Sequence, residues 1–195
     1  MPRNPVFTPR LLCRPAHAFA IALALSCALS APALAKGPGA SAAAPERIVD
    51  VVQVDGVISP VVLDQIHEAI RRATSDRRLA LVVEINTPGG LDTSMRSIVQ
   101  EILKSDIPII TYVAPSGSRA ASAGLFLVTA SHVAAMAPNT NLGAASPVFM
   151  GGIADSTLSH KAMNDAAAFI ETLAKERGRN AEWNVRAVRE AIATR

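Results

Sequence analysis

Apolar positions along this chain follow two alternating rhythms. Residues 48–54 are mostly β-branched and predict a strand, closed by Asp55-Gly56. Ser59-Pro60 supplies a helix cap and a first-turn proline. Val62, Ile66, Ile70 and Ala73 then recur at helical spacing to residue 75. Residues 79–85 form an apolar run broken only by Glu84, the pattern of a strand buried on both faces of a parallel sheet. Gly89-Gly90 ends that run. Asp92 or Thr93 can cap the next helix, which carries Met95, Ile98, Val99, Ile102 and Leu103 on one face. Residues 107–113 read as another buried strand. A loop around Ser122 then feeds an apolar helix, Leu125-Phe126-Leu127-Val128, followed by a short strand at 133–136.

Residues 137–156 look like loop, with Pro138, Asn139, Asn141, Gly143, Pro147, Gly151 and Gly152. Two helices are expected at 159–176 and 181–193, the second capped by Asn180. Strand and helix alternate throughout. The pattern predicts βαβ units, a mainly parallel sheet and a layered α/β fold.

Charge changes the picture at one end. The chain has 195 residues, a sequence pI near 9.2 and half its residues hydrophobic, which excludes wholesale disorder. Three of its 19 lysines and arginines (Arg3, Arg10 and Arg14) lie in the first 35 residues, with none of its 16 acids. The remainder is neutral, so no net attraction to nucleic acid is expected.

The basic start, the apolar run from Ala18 to Leu29 and the small residues of Pro32-Ala33-Leu34-Ala35 together read as an export signal cleaved after Ala35. A retained anchor, or lipidation at Cys27, are the alternatives. Both cysteines, Cys13 and Cys27, fall in this signal, so no disulfide or cysteine nucleophile is expected beyond it. Residues 36–46 read as a flexible linker and 47–195 as one folded domain. The expected location is extracytoplasmic, periplasmic in a cell with two membranes.

The candidate chemistry centres on Ser122, within Arg119-Ala120-Ala121-Ser122-Ala123-Gly124. A helix start beneath a serine supplies a positive dipole end and free N–H groups. Small neighbours leave room for an acyl group. Ser122 reads equally as a nucleophile or as a helix cap. Pro88-Gly89-Gly90 sits where such strands end and ligands bind. It reads either as a tight turn or as a source of N–H donors for an oxyanion. His67, His132 and His160 are the histidines after the signal; His132 reads as structural. Arg119 reads either as a ligand for a peptide carbonyl or as a loop anchor, the second being favoured, and Asn139 and Asn141 read as turn residues. Neither metal-ligand spacing nor a nucleotide-binding glycine loop is found in the sequence, and no cofactor is expected.

Asn86-Thr87-Pro88-Gly89-Gly90, the hexapeptide around Ser122 and Ala137-Pro138-Asn139-Thr140-Asn141-Leu142-Gly143-Ala144 resemble the N-terminal peptidase domain of the NfeD family. These are ClpP-like, membrane-bound serine proteases, often encoded beside a stomatin-like protein. The resemblance covers roughly residues 47–195. It implies the ClpP/crotonase fold, Ser122 as nucleophile, and the N–H groups of Gly90 and Ala123 as oxyanion donors, with Gly89 as the alternative from the same turn.

ClpP itself places a histidine about 25 residues beyond its serine; that offset here falls at Pro147. The segment from Lys161 to Phe169 instead matches the family segment with a catalytic lysine, implying a Ser122–Lys161 dyad. His160, its neighbour, stays a candidate. A lysine acts as base only when neutral, which requires a desolvating surrounding. Ala162, Met163 and Ala166 are the expected apolar wall. Asp165 could orient Lys161, but a carboxylate there favours the ammonium form, so an exposed position is expected for it.

The resemblance implies endopeptidase cleavage in hydrophobic segments of membrane-associated proteins, with a stomatin-like protein as candidate partner, and a homo-oligomer such as a dimer if the fold is complete. Full-length relatives carry membrane spans and a small β-barrel. Their absence here, and a stop at a helix end, lead us to expect a fold lacking its last returning strand. Rival readings are a signal-peptide peptidase of the SppA type, an acyl-CoA enzyme of the crotonase class, which export disfavours, and an inactive interaction module.

Overall fold

A computed structural model describes residues 48–149 and 155–194; the expected export signal and the linker at 36–46 lie outside them. The main sheet has four parallel strands in the order β1 (Asp50–Asp55), β2 (Leu81–Asn86), β3 (Ile109–Val113), β5 (Val133–Met136). Helices α1 (Pro60–Ser75), α2 (Asp92–Lys104) and α3 (Ala123–Ala130) provide the crossovers. Their buried faces carry the predicted residues, among them Ile66 and Ile70 on α1 and Met95, Ile98 and Ile102 on α2.

Among the described residues these three helices cover one side of the sheet. Leu81, Val83 and Ile85 are buried while Val82, Glu84 and Asn86 are half-buried, so β2 alternates rather than being enclosed on both faces as the apolar run suggests. On the open side Val51, Val82, Ile110 and Val133 stand in register across all four strands, and the two outer ones are more than half exposed, at 60% and 51%.

All eight residues of α3 are buried. An eight-residue helix has little stability of its own, so packing must hold it. Helix α4 (Ser156–Glu176) packs along it, and α5 (Ala181–Arg189) meets its last turn through one side-chain hydrogen bond. Thr129 donates to Asn184 Oδ1 at 2.9 Å. Arg177 Nε donates to the Ala130 carbonyl, and Arg179 donates to those of Val128 and Ser131. Two cations thus meet carbonyls at the end of the helix where the dipole is negative.

The structure adds short strands that the sequence pattern misses. Part of the expected Ser122 loop is β4 (Arg119–Ala121), and part of the expected 137–156 loop is β6 (Asn141–Gly143). These two pair in parallel. Helix α4 starts at Ser156, three residues earlier than expected, because Asp155 caps it through the Thr157 N–H. Helix α5 ends at Arg189 rather than 193. Ala191 takes a positive φ of 52° and the chain turns back as β7 (Ala193–Thr194), antiparallel to β6. A two-residue strand thus follows the last helix and joins β4 and β6 in a separate three-stranded sheet, order β4-β6-β7. Among the described residues no helix is long and apolar enough to cross a membrane.

Candidate active site

The two sheets meet at Thr87. Its N–H donates to the Arg119 carbonyl at 2.7 Å and its carbonyl accepts from Ala121 at 3.1 Å. This pairing brings the turn after β2 against the junction of β4 and α3. Ser122 occupies that junction, with its own N–H donating to the Gly143 carbonyl at 3.0 Å.

Ser122 is the N-cap residue of α3, yet its hydroxyl makes no capping bond. Its backbone sits at φ 52°, ψ −118°, a region that costs a non-glycine residue about 1–3 kcal/mol. The hydroxyl is thus left uncommitted on a strained turn, at the positive end of a buried helix.

Gly89 lies directly against it. A Cβ on Gly89 would come within 2.5 Å of Ser122 Cβ and 3.1 Å of its Oγ, and its φ of +115° already selects glycine. The Thr87 hydroxyl holds this turn, accepting from Gly89 N–H at 3.1 Å. That bond occupies the Gly89 donor. Gly90 is wedged against Ile58, whose N–H and carbonyl bond the residues on either side of it, and a Cβ there would meet Ile58 O at 2.1 Å. The N–H groups of Gly90 and Ala123 have no acceptor among the described residues. Of the two glycines, Gly90 is therefore the one with a donor to offer.

Beside Ser122 opens a mainly apolar cleft of about 470 Å³. Val57, Leu91, Met95, Phe126, Pro147, Val148 and Ala166 are among its lining residues, with Asp92 at its polar side. A free hydroxyl, two unpaired amides and an apolar cleft fit a carbonyl substrate presented in an apolar segment.

Lys161 is placed differently from expectation. It lies near the start of α4, the helix whose Ala166 lines the cleft, but its side chain is exposed. Met163 and Ala166 turn inward, on the stripe continued by Ile170 and Leu173, and Lys161 falls off that stripe. The expected apolar wall is therefore built but does not enclose the amine. His160 beside it is exposed too.

His67 pairs with Glu101 on α2. His132 Nδ1 accepts the Ile109 N–H, a structural role as expected; desolvation and nearby Arg177 push its pKa down. The Arg119 side chain is exposed, while its backbone N–H donates to Asn86 Oδ1 and anchors the loop. Asn139 takes a positive φ of 61° and donates to Ser116. Thr87 stands in the motif read from sequence but is given no role there, although a threonine two residues before a glycine is a recognisable turn signal.

Solved structures with this architecture include the 1510-N membrane-bound stomatin-specific protease. Its serine-to-alanine mutant superposes with TM-score 0.71 at 37% identity, over 76% of this chain and 73% of that one. Its lysine-to-alanine mutant, in complex with a substrate peptide, gives the same TM-score at 36% identity, over 77% and 70%. The fold is thus a ClpP-like α/β domain. The family model of the NfeD1b N-terminal domain matches residues 48–194, and the chain belongs to that family.

Among its relatives, the membrane-bound protease PH1510 of Pyrococcus horikoshii is 41% identical over 157 residues, 78% of this chain and 33% of that protein. The membrane protein NfeD1b of Bacillus subtilis is 30% identical over 108 residues, 55% and 24% of the two chains. The chain spans about a third of PH1510 and about a quarter of NfeD1b.

Proposed function

We propose that residues 47–195 form a serine endopeptidase domain. Ser122 Oγ attacks the scissile carbonyl, Lys161 takes its proton and later returns it to the leaving amine. The N–H groups of Gly90 and Ala123 bind the oxyanion of the tetrahedral intermediate. The observation that carries this reading is the strained Ser122, its hydroxyl uncapped and packed on the Gly89 backbone at the start of α3. The relatives named as proteases support it.

The exposure of Lys161 adds a condition. An apolar peptide lying in the cleft beside α4 would exclude water from the amine and favour the neutral form that can accept a proton. In this reading substrate binding completes the base. Substrates are then hydrophobic segments of membrane-associated proteins. A stomatin-like partner is the natural candidate, since a solved relative is described as stomatin-specific. Export through residues 1–35, with the linker at 36–46, would deliver the domain to the outer side of the membrane.

The test is cleavage of a quenched fluorescent apolar peptide by the full chain, Ser122→Ala and Lys161→Ala. Each variant should lose at least about 100-fold in rate. Equal cleavage by all three would sink the dyad. The same exposure of Lys161 also suits a second reading, an inactive interaction module. That reading is tested by a serine-directed fluorophosphonate, which would leave the folded chain unlabelled.

A further inference from the structure

Lys161 has an acid on its own helix at the spacing that favours pairing. Asp165 stands four residues further along α4, so the two side chains are neighbours on the helix surface. A carboxylate in that position would hold a lysine in its charged form, the wrong form for a base. The structure engages this carboxylate elsewhere. Arg96 on α2 reaches across and pairs with Asp165 through Nη2.

Arg96 is itself held on three sides. Its Nε donates to Asp92 Oδ2 at 2.9 Å, one turn earlier on α2. Its guanidinium lies 4.6 Å over the centre of the Phe169 ring on α4. Phe169 stacks in turn on Phe126 of α3, with centroids 5.9 Å apart. Phe126 and Asp92 both line the cleft beside Ser122. Arg96 thus ties the Asp165 turn of α4 to the two helices that flank the nucleophile.

We propose that Arg96 is a positioning residue that withholds Asp165 from Lys161, leaving the Lys161 amine free to serve Ser122. The inference rests on the dyad reading above. On α4 the titratable groups nearest Lys161 in sequence are His160 and Asp165, with Asp155 as the N-cap; α2 carries Asp92, Arg96, Glu101 and Lys104, and α3 carries none. Helix α5 brings Glu182, Arg186 and Arg189 beside α4, with Arg189 toward Glu171. Removing Arg96 therefore frees Asp165 as the acid one helical turn from the base.

The experiment measures kcat/KM against pH for the full chain and its variants on the quenched apolar peptide. In Arg96→Ala the acid limb should move to higher pH and the rate at pH 7 should fall roughly tenfold, the equivalent of about one pH unit. Asp165→Asn alone should stay near wild type. The double variant Arg96→Ala/Asp165→Asn should recover both the rate and the limb, a rescue that a merely structural role for Arg96 would not produce.

If Arg96→Ala does not fold, Arg96→Gln replaces it in both variants, keeping a side chain over Phe169 without the charge. An unshifted profile in the single variant, or no recovery in the double, overturns the proposal. Ser122→Ala and Lys161→Ala are run alongside. If those two retain wild-type activity, the dyad reading has failed and this inference falls with it. If they are dead while the Arg96 variants are indistinguishable from wild type, only this inference has failed.

Discussion

The 87–90 turn and Ser122 form one unit at the level of single residues. Thr87 takes up the Gly89 donor, Gly89 leaves space for Ser122, and Gly90 keeps an amide free. Each residue type follows from a contact. Gly89→Ala places a methyl carbon within 2.5 Å of Ser122 Cβ at a backbone angle that L-residues avoid. We expect it to cost about 2 kcal/mol or more, seen as a lower thermal midpoint, together with near-complete loss of labelling by a serine-directed probe. A variant with wild-type midpoint and labelling would show that the turn is looser than described. Thr87→Val keeps the volume but frees the Gly89 N–H, and should cost about 1 kcal/mol by chemical denaturation.

At the scale of elements, α3 connects the site to the back of the domain. Its first turn faces the cleft, and its last carbonyls are bound by Arg177 and Arg179 from the α4–α5 connection. Arg179→Ala leaves half-buried carbonyls without their charged donor and should destabilise by about 2–3 kcal/mol. Arg179→Lys, which cannot span two carbonyls with one planar group, should recover only part of this in the same denaturation series.

The longer elements were legible from periodicity alone, because Ile66, Ile70, Met95, Ile98 and their strand counterparts each answer to a single buried face. Strands β4, β6 and β7 were not legible. They are two or three residues long and owe their extended form to partners far along the chain. The site divides the same way. Ser122 and the glycine pair stand out as small residues at element junctions. Arg96 and Asp165 are 69 positions apart, and nothing local in either segment announces their pairing. That Lys161 is exposed could have been anticipated, since it falls off the apolar stripe of its own helix.

For the whole molecule, the small sheet decides how firmly the nucleophile is held. The Gly143 carbonyl accepts the Ser122 N–H, while β7 and the Ile192 carbonyl fix the residues around Gly143 from the other side. Deleting residues 192–195 should therefore weaken the site without touching it. We expect a lower thermal midpoint and slower labelling of Ser122, with the far-ultraviolet helical signal retained. Unchanged labelling would show that β6 keeps its place without its terminal partner.

The left-handed backbone at Ser122 also carries an evolutionary consequence. A glycine there relieves the strain, so Ser122→Gly should add about 1 kcal/mol of stability, read as a higher thermal midpoint, while removing the hydroxyl. Ser122→Ala should abolish labelling with no such gain. Equal midpoints for all three proteins would mean that the turn is relaxed. If the gain is real, foldability alone would drift this position toward glycine, and only selection on the hydroxyl itself keeps a serine there.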